Sequence, residues 1–246
     1  MNVEIQGRGK KTILLTNDDG ITADGLLRLA REARQFGEVW VVAPDGERSA
    51  ASHSISLHNP VDVWPCAFGV EGVRAFSCSG TPADCVRVGS LSVMPYQPDV
   101  VLSGINFGYN TATDLQYSAT AGAALEAAFQ GYFGIAFSEG RGGHVVTDRY
   151  LHEVLAEVLK MEPLDGRIVN VNFPDCPAGQ CRGILRDRKV SKSMLFRDRY
   201  AVIEELPDGG KRYMVDGQYQ EVAEEGTDLR AVLDGYVSIG WVNNLQ

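Results

Sequence analysis

The chain has 246 residues, 44% of them hydrophobic, enough to bury one large α/β core or two small ones. A net charge of −9 argues against a nucleic-acid duplex or an anionic membrane as the main partner. It leaves room for a small phosphorylated ligand, because a bound metal can reverse the local charge. Five cysteines (Cys66, Cys78, Cys85, Cys176 and Cys181) contain no C-x-x-C pair, and residues 1–11 are polar, without the apolar core of a signal peptide. No apolar run approaches membrane-spanning length, so a reduced, soluble, cytoplasmic protein is expected.

Thr12-Ile13-Leu14-Leu15 reads as a short buried strand of a parallel sheet and runs straight into Thr16-Asn17-Asp18-Asp19-Gly20. Adjacent aspartates repel each other, and a divalent cation, which prefers oxygen ligands, would give them a reason to share a loop. A solvated turn with one aspartate capping the next helix accounts for the stretch equally well. Leu26, Leu29, Ala30 and Ala33 then recur at helical spacing, and Gly37 is expected to close that helix. Val39-Trp40-Val41-Val42-Ala43 follows as a second buried strand, so the three elements make a βαβ unit with parallel strands. Residues 45–54 are small and polar, as a ligand loop would be, and residues 55–64 and 70–76 are expected to form a less regular pair of strands.

Thr81-Pro82-Ala83-Asp84 combines a hydroxyl cap, a first-turn proline and an acid, predicting a helix to about Met94. Asp99-Val100-Val101-Leu102 is the next strand and opens into Ser103-Gly104-Ile105-Asn106-Phe107-Gly108-Tyr109-Asn110. Ser118 is placed to cap an alanine-rich helix over residues 119–130, residues 135–138 form a strand, and Thr147 is expected to cap a helix whose leucine and valine stripe is core. Residues 168–173 close the regular series. Beyond Pro174, residues 182–199 are rich in basic side chains, and Pro207-Asp208-Gly209-Gly210 is a turn between extended runs. A short helix over 226–233 and a strand over 236–239 end the chain. The expectation is one α/β domain, with a core of about residues 11–181 plus 226–240 and a projecting hairpin arm of about 182–225.

Open α/β sheets bind ligands beyond the carboxyl ends of their strands, near a switch in strand order. Three polar loops leave strands in that sense, at residues 17–20, 45–54 and 103–110, and they carry the carboxylate, hydroxyl and amide oxygens that Mg²⁺, Mn²⁺ or Ca²⁺ accept. Their glycines let backbone N–H groups approach an anion, and the helix begun by Ser118 and Thr120 favours negative charge at its start. An ordinary N-cap is the simpler account of Ser118 taken alone. The histidines (His53, His58, His144 and His152) are scattered and read as surface or packing residues.

These segments together resemble the SurE family of metal-dependent nucleotidases, also called survival protein E. The matching motifs are Thr16-Asn17-Asp18-Asp19-Gly20, Val42-Ala43-Pro44-Asp45 with Glu47-Arg48-Ser49-Ala50, and Ser79-Gly80-Thr81-Pro82-Ala83-Asp84-Cys85-Val86. Pro98-Asp99-Val100-Val101-Leu102-Ser103-Gly104-Ile105-Asn106 with Gly108 and Asn110, the helix from Ser118 through Glu126, and Asp234-Gly235-Tyr236-Val237-Ser238-Ile239 complete the set. The resemblance implies a Rossmann-like, mostly parallel sheet flanked by helices. It implies one divalent ion per subunit, Mg²⁺ or Mn²⁺ with Ca²⁺ acceptable in crystals, ligated by Asp18, Asp19, Ser49 and Asn106. Asp18, Asp19 and Asn106 would carry catalysis, and Asn17, Gly104, Asn110, Ser118 and Thr120 would contact substrate or phosphate. The implied reaction is removal of phosphate from nucleoside 5′- and 3′-monophosphates, with short polyphosphate as a further substrate in some members. A homodimer or homotetramer built through the C-terminal arm is implied too. This chain departs from the family pattern at Phe107, where arginine is usual, at Ala119, where glycine is usual, and in the tail Gly240-Trp241-Val242 that follows Ser238-Ile239.

In that chemistry the metal would polarise the phosphoryl oxygens, and Asp18 is the candidate base or nucleophile, with both roles open. Rival readings fare worse. A receiver domain lacks its phospho-accepting aspartate and lysine in register, and a haloacid dehalogenase-type phosphatase would need an aspartate where Asn17 stands. No G-x-G-x-x-G follows the first strand, which removes a dinucleotide fold. A non-catalytic nucleotide-binding or scaffold protein on the same fold stays as the alternative.

Overall fold

Strand alternation decides which side chains face which layer of helices. The computed structural model describes residues 10–244, so the polar N-terminal stretch lies outside the described residues apart from Lys10 and Lys11. The chain forms β1 (Lys11–Thr16), α1 (Asp24–Ala33), β2 (Gly37–Pro44), β3 (Val63–Cys66), β4 (Arg74–Cys78) and α2 (Pro82–Val88). It continues through β5 (Val100–Phe107), α3 (Ala119–Phe129), β6 (Phe133–Glu139), α4 (Val145–Val158) and β7 (Arg167–Phe173). The C-terminal part holds β8 (Ile184–Leu185), β9 (Phe196–Arg197), β10 (Tyr200–Glu205), β11 (Lys211–Val215), β12 (Gln218–Tyr219), α5 (Asp228–Leu233) and β13 (Val237–Asn243).

A nine-stranded sheet has the order β3-β4-β2-β1-β5-β6-β7-β13-β8. From β4 to β7 all neighbours are parallel, while β3 and β13 pair antiparallel with β4 and β7. This is the mostly parallel, helix-flanked α/β sheet expected from the sequence. The chain builds outward from β1 through β2 to β4, then returns to place β5 on the other flank of β1, so the order switches between β1 and β5. Ile13, Leu15, Val39 and Val41 face α1 and α4, joining Leu26, Leu29, Leu151 and Leu155 in one fully buried cluster. The intervening Leu14, Trp40 and Val42 face α2 and α3, against Cys85, Val86, Ala123 and Ala127. The alanines of α3 allow close docking: at Gly134 in β6 a Cβ would run into the carbonyl oxygen of Ala124.

Several local expectations are corrected. Helix α1 ends at Ala33 with Arg34 as its C-cap, and Gly37 is instead the first residue of β2. A Cβ on Gly37 would strike the Lys11 carbonyl oxygen of the neighbouring strand, so glycine is required there by strand pairing. Thr147 lies inside α4, whose N-cap position is His144. Thr81 does cap α2, in a reciprocal capping box with Asp84, but the helix gives way at Gly89–Val93 to a π-helical turn. The strand pair after the second loop is shorter and later than expected, at β3 and β4.

Beyond β7 the chain stays in the sheet long enough for β8 to pair with β13. Then β10 and β11 form the antiparallel hairpin around Pro207–Gly209, exposed at every strand position, with β9 and β12 paired at its base. The Gly134 contact gives a direct check on the α3 interface. Gly134→Ala should lower stability by about 1–3 kcal/mol, read as a reduced urea midpoint with an unchanged slope. An unchanged midpoint would contradict the close docking of α3 on β6.

Candidate functional site

The loops that follow β1, β2 and β5 converge at the carboxyl edge of the sheet, on the switch between β1 and β5. The first is a clamp: Asn17 Nδ2 donates to the Gly20 carbonyl (3.0 Å) and the Gly20 N–H donates back to Asn17 Oδ1 (3.2 Å). Gly20 has φ +103°, and a Cβ there would sit 3.2 Å from the Gly46 carbonyl carbon, so only glycine lets the two loops meet comfortably. The Arg48 N–H donates to the Asp18 carbonyl (2.7 Å) and ties the second loop to the first. That second loop carries left-handed backbone at Ala50 (φ 56°) and Ser52 (φ 53°), strain of about 1 kcal/mol each. Its Ser52 carbonyl fits against α3 because Gly122 has no Cβ to meet it.

Asp18, Asp19, Ser49 and Asn106 all line one cleft of about 800 Å³, together with Asn110 and Ser118. Asp18 is only 4% exposed and accepts a hydrogen bond from Thr120 Oγ1. Burial, opposed by Thr120 and reinforced by the Asp19 charge, pushes its carboxyl from 3.8 up to about 6. Burial also raises Asp19, with the Phe107 backbone N–H and Arg141 opposing and Glu47 and Glu139 adding to the rise. Ser49 Oγ donates to Glu47 Oε1 (2.6 Å), and Asn106 Nδ2 donates to the Gly108 carbonyl (2.8 Å), which leaves the Asn106 Oδ1 for a ligand. Among the described residues no group of three or more His, Cys, Asp or Glu side chains is arranged to hold a metal. Two carboxylates with a hydroxyl and an amide are nonetheless an all-oxygen set that suits a hard divalent ion. The buried Asp18 carboxylate, which has no ion pair among the described residues, is the observation that makes the set fit one.

The remaining expected contacts divide. Ser118 lines the cleft while capping α3, its Oγ accepting from the Ala121 N–H (3.0 Å). Asn110 lines it too, with its backbone groups and Nδ2 committed: the N–H donates to Asn172 Oδ1 (2.9 Å), Nδ2 donates to Ser138 Oγ (2.8 Å), and the carbonyl accepts from Asn170 Nδ2 (2.8 Å). Asn17, Gly104 and Thr120 stand behind the cleft wall, outside its lining. Asn17 shapes the first loop, Thr120 holds Asp18, and Gly104 (φ +136°) avoids a clash with the Phe137 carbonyl where β5 shifts register against β6. Of the departures in the loop after β5 and at the start of α3, Phe107 is 45% exposed and lines the cleft, whereas Ala119 is fully buried and does not.

Sequence reasoning gave no role to Glu47, Asp114, Arg141 or Asp198, all of which line the cleft. Arg141 left a usable trace: Gly140-Arg141-Gly142-Gly143 follows β6 and so leaves the same edge of the sheet. Asp114 and Asp198 left none, being brought in by a 3₁₀ turn and by the arm. Behind Phe107, buried Glu139 pairs with Arg28 and with His144 Nδ1 (2.8 Å), and Arg28 also reaches Asp148 (3.0 Å) and Asp24 (2.8 Å).

The family model described as Survival protein SurE matches residues 13–194. A 5′-nucleotidase SurE of Alkaliphilus metalliredigens is 38% identical over 92% of this chain and 90% of its own length. A 5′/3′-nucleotidase SurE of Erwinia tasmaniensis is 39% identical over 92% of this chain and 88% of its own. The crystal structure of the SurE protein from Aquifex aeolicus superposes with a TM-score of 0.79 at 31% identity, covering 95% of this chain and 94% of that one.

The buried carboxylate has a measurable consequence. In metal-free protein the folded state binds the Asp18 proton more tightly than the unfolded state, so the contribution of Asp18 to stability falls as pH rises from about 4 to about 6, by about 3 kcal/mol. Chelator-treated Asp18→Asn should therefore melt above the wild type at pH 7.5, and the two should converge near pH 4. Equal melting temperatures at pH 7.5 would contradict a costly buried charge.

Proposed function

The chain belongs to the survival protein SurE family, and we propose that it is a divalent-metal-dependent 5′-nucleotidase, a phosphohydrolase that releases phosphate from nucleoside monophosphates. One observation carries the reading: Asp18 and Asp19 stand side by side at the end of β1, and Ser49 and Asn106 reach the same cleft from two other loops. Relatives named 5′-nucleotidase and 5′/3′-nucleotidase support 5′-monophosphates first and 3′-monophosphates second. Short polyphosphate belongs to the same proposal, since the cleft is open and roomy for a phosphate chain.

Asp18, Asp19, Ser49 and Asn106 would hold Mg²⁺ or Mn²⁺. When bound, such an ion supplies Lewis-acid polarisation of the phosphoryl oxygens. The chain's own groups do the rest. Thr120 fixes Asp18 Oδ1, leaving Oδ2 to take a proton from the attacking water as its oxygen closes on phosphorus, while the nucleoside oxygen leaves and is protonated from solvent. Neutral Ser49 and Asn106 complete the donor set without adding negative charge against the substrate. The first turn of α3, with Ser118 at its cap, directs the positive end of the helix dipole toward the cleft and favours the phosphate there. Asn17 and Gly104 act as supports for the two loops, and Asn110 keeps the third loop rigid through Asn170, Asn172 and Ser138.

A homodimer or homotetramer formed through the arm is part of the proposal. Its support is the exposed apolar hairpin, where Tyr200, Ile203, Tyr213, Met214 and Val215 stand more than half uncovered. A cytoplasmic setting draws support from five cysteines that all carry free thiols. Among the described residues, no helix is long and apolar enough to cross a membrane.

The test is phosphate release from a panel of nucleoside 5′- and 3′-monophosphates, using protein stripped with chelator and then given Mg²⁺ or Mn²⁺. Turnover should return only with metal, and Asp19→Asn should lower kcat by about 100-fold or more. Nucleotide-dependent thermal stabilisation without turnover would instead establish the non-catalytic binding protein.

A further inference from the structure

The cleft continues into a second hollow of about 480 Å³, and the two share Gly108, Tyr109, Asp114, Arg141 and Phe196 in their walls. Only the first is lined by Asp18 and Asp19. The second is walled by Leu195, Phe196, Tyr219, Val232 and Leu233, with Asp175 and Glu221 as further carboxylates. It is therefore a chamber with aromatic and apolar side chains on part of its wall and charged groups on the rest, set to one side of the carboxylate pair.

Arg141 stands at the junction and, among the described residues, is the one cation lining either hollow. Its guanidinium lies over Gly108, where a Cβ would be 3.3 Å from Nε and 3.6 Å from Nη2. The ion pairs found among the described residues do not include it, whereas Arg28, Arg48 and Arg186 each hold a carboxylate. Around it the main cleft presents Asp18, Asp19, Glu47, Asp114 and Asp198. A phosphate dianion entering this field is repelled from most sides, and a guanidinium fork can meet two of its oxygens at once.

We propose that Arg141 anchors the substrate phosphate at the junction and that the second hollow receives the nucleoside, its base packing on Phe196 and Tyr219. This takes its substrate class from the nucleotidase reading above. Phe196 and Tyr219 face each other edge-on with ring centroids 5.6 Å apart, and both remain over 40% exposed, so a base laid against them buries aromatic surface now open to water. Both rings come from the paired strands at the base of the arm, β9 and β12. The Tyr109 hydroxyl oxygen accepts a hydrogen bond from the Asp175 N–H, which fixes its ring in the wall. Asp175 and Glu221 supply acceptors for ribose hydroxyls or base amino groups. The arm thus selects the leaving group while the sheet edge holds the reacting centre.

Calorimetry with Mg²⁺ present and two uncleavable ligands separates the parts: a nucleoside 5′-phosphonate, and the ribose 5-phosphonate that lacks the base. Arg141→Ala should weaken both by about tenfold or more, with Arg141→Lys recovering part of the loss. The Phe196→Ala/Tyr219→Ala double variant should weaken the nucleoside ligand about tenfold and leave the ribose ligand unchanged. Binding by Arg141→Ala within twofold of wild type would overturn the anchor, and a double variant that weakens both ligands alike, or neither, would overturn the base chamber. Absence of binding to the wild type would overturn both. Because the ligands are not cleaved, the expected pattern in a protein that releases no phosphate would refute the nucleotidase reading while sustaining this one.

Discussion

Placing two adjacent carboxylates at the end of a buried strand is the constraint from which the rest of this site follows. Asp18 sits almost wholly out of water with Asp19 as its neighbour, and ionising it there is costly. The surrounding structure reduces that cost with dipoles and a hydroxyl: Thr120 donates to Asp18, the Phe107 N–H faces Asp19, and α3 directs its N-terminus into the same cleft. None of these neutral groups cancels the charge. A divalent cation would, and that is the reason for the proposal of a metal site here over a solvated turn.

The same constraint explains the glycines and the strained loop. Gly20 lets the first loop touch Gly46, Gly104 lets β5 slip past Phe137, and Gly122 lets the second loop rest on α3. Each close approach carries a candidate ligand, Asp18, Asn106 or Ser49, toward a common centre. Left-handed backbone at Ala50 and Ser52 is the conformational cost of bringing Ser49 into the cleft. Sheet topology sets the location, because β1 and β5 diverge at the switch in strand order and open a crevice between their loops.

Most of this framework was legible in the sequence. The central strands are short apolar runs, and the acid pair, the Thr81-Pro82 start and the Ser118 cap are local signals that the structure keeps in place. What stayed hidden depended on contacts between distant segments. Gly37 looks like a helix stop, yet the carbonyl of Lys11 on the next strand is what demands it. Thr147 looks like a cap, yet α4 starts two residues earlier, where His144 is held by Glu139. Periodicity could not reveal that Asp114 and Asp198 meet in the cleft, because they lie on a 3₁₀ turn and on the arm. Nor could it show that Thr120 points at Asp18 rather than into the cleft, since that depends on how α3 docks.

The central claim is that Asp18, Asp19, Ser49 and Asn106 together hold one divalent ion. Crystals grown or soaked with Mn²⁺ and measured for anomalous scattering test it directly. One strong peak per chain, bounded by these four side chains, is the predicted result. A Mn²⁺-saturated crystal with its peak elsewhere, or with none between Asp18 and Asp19, would contradict it.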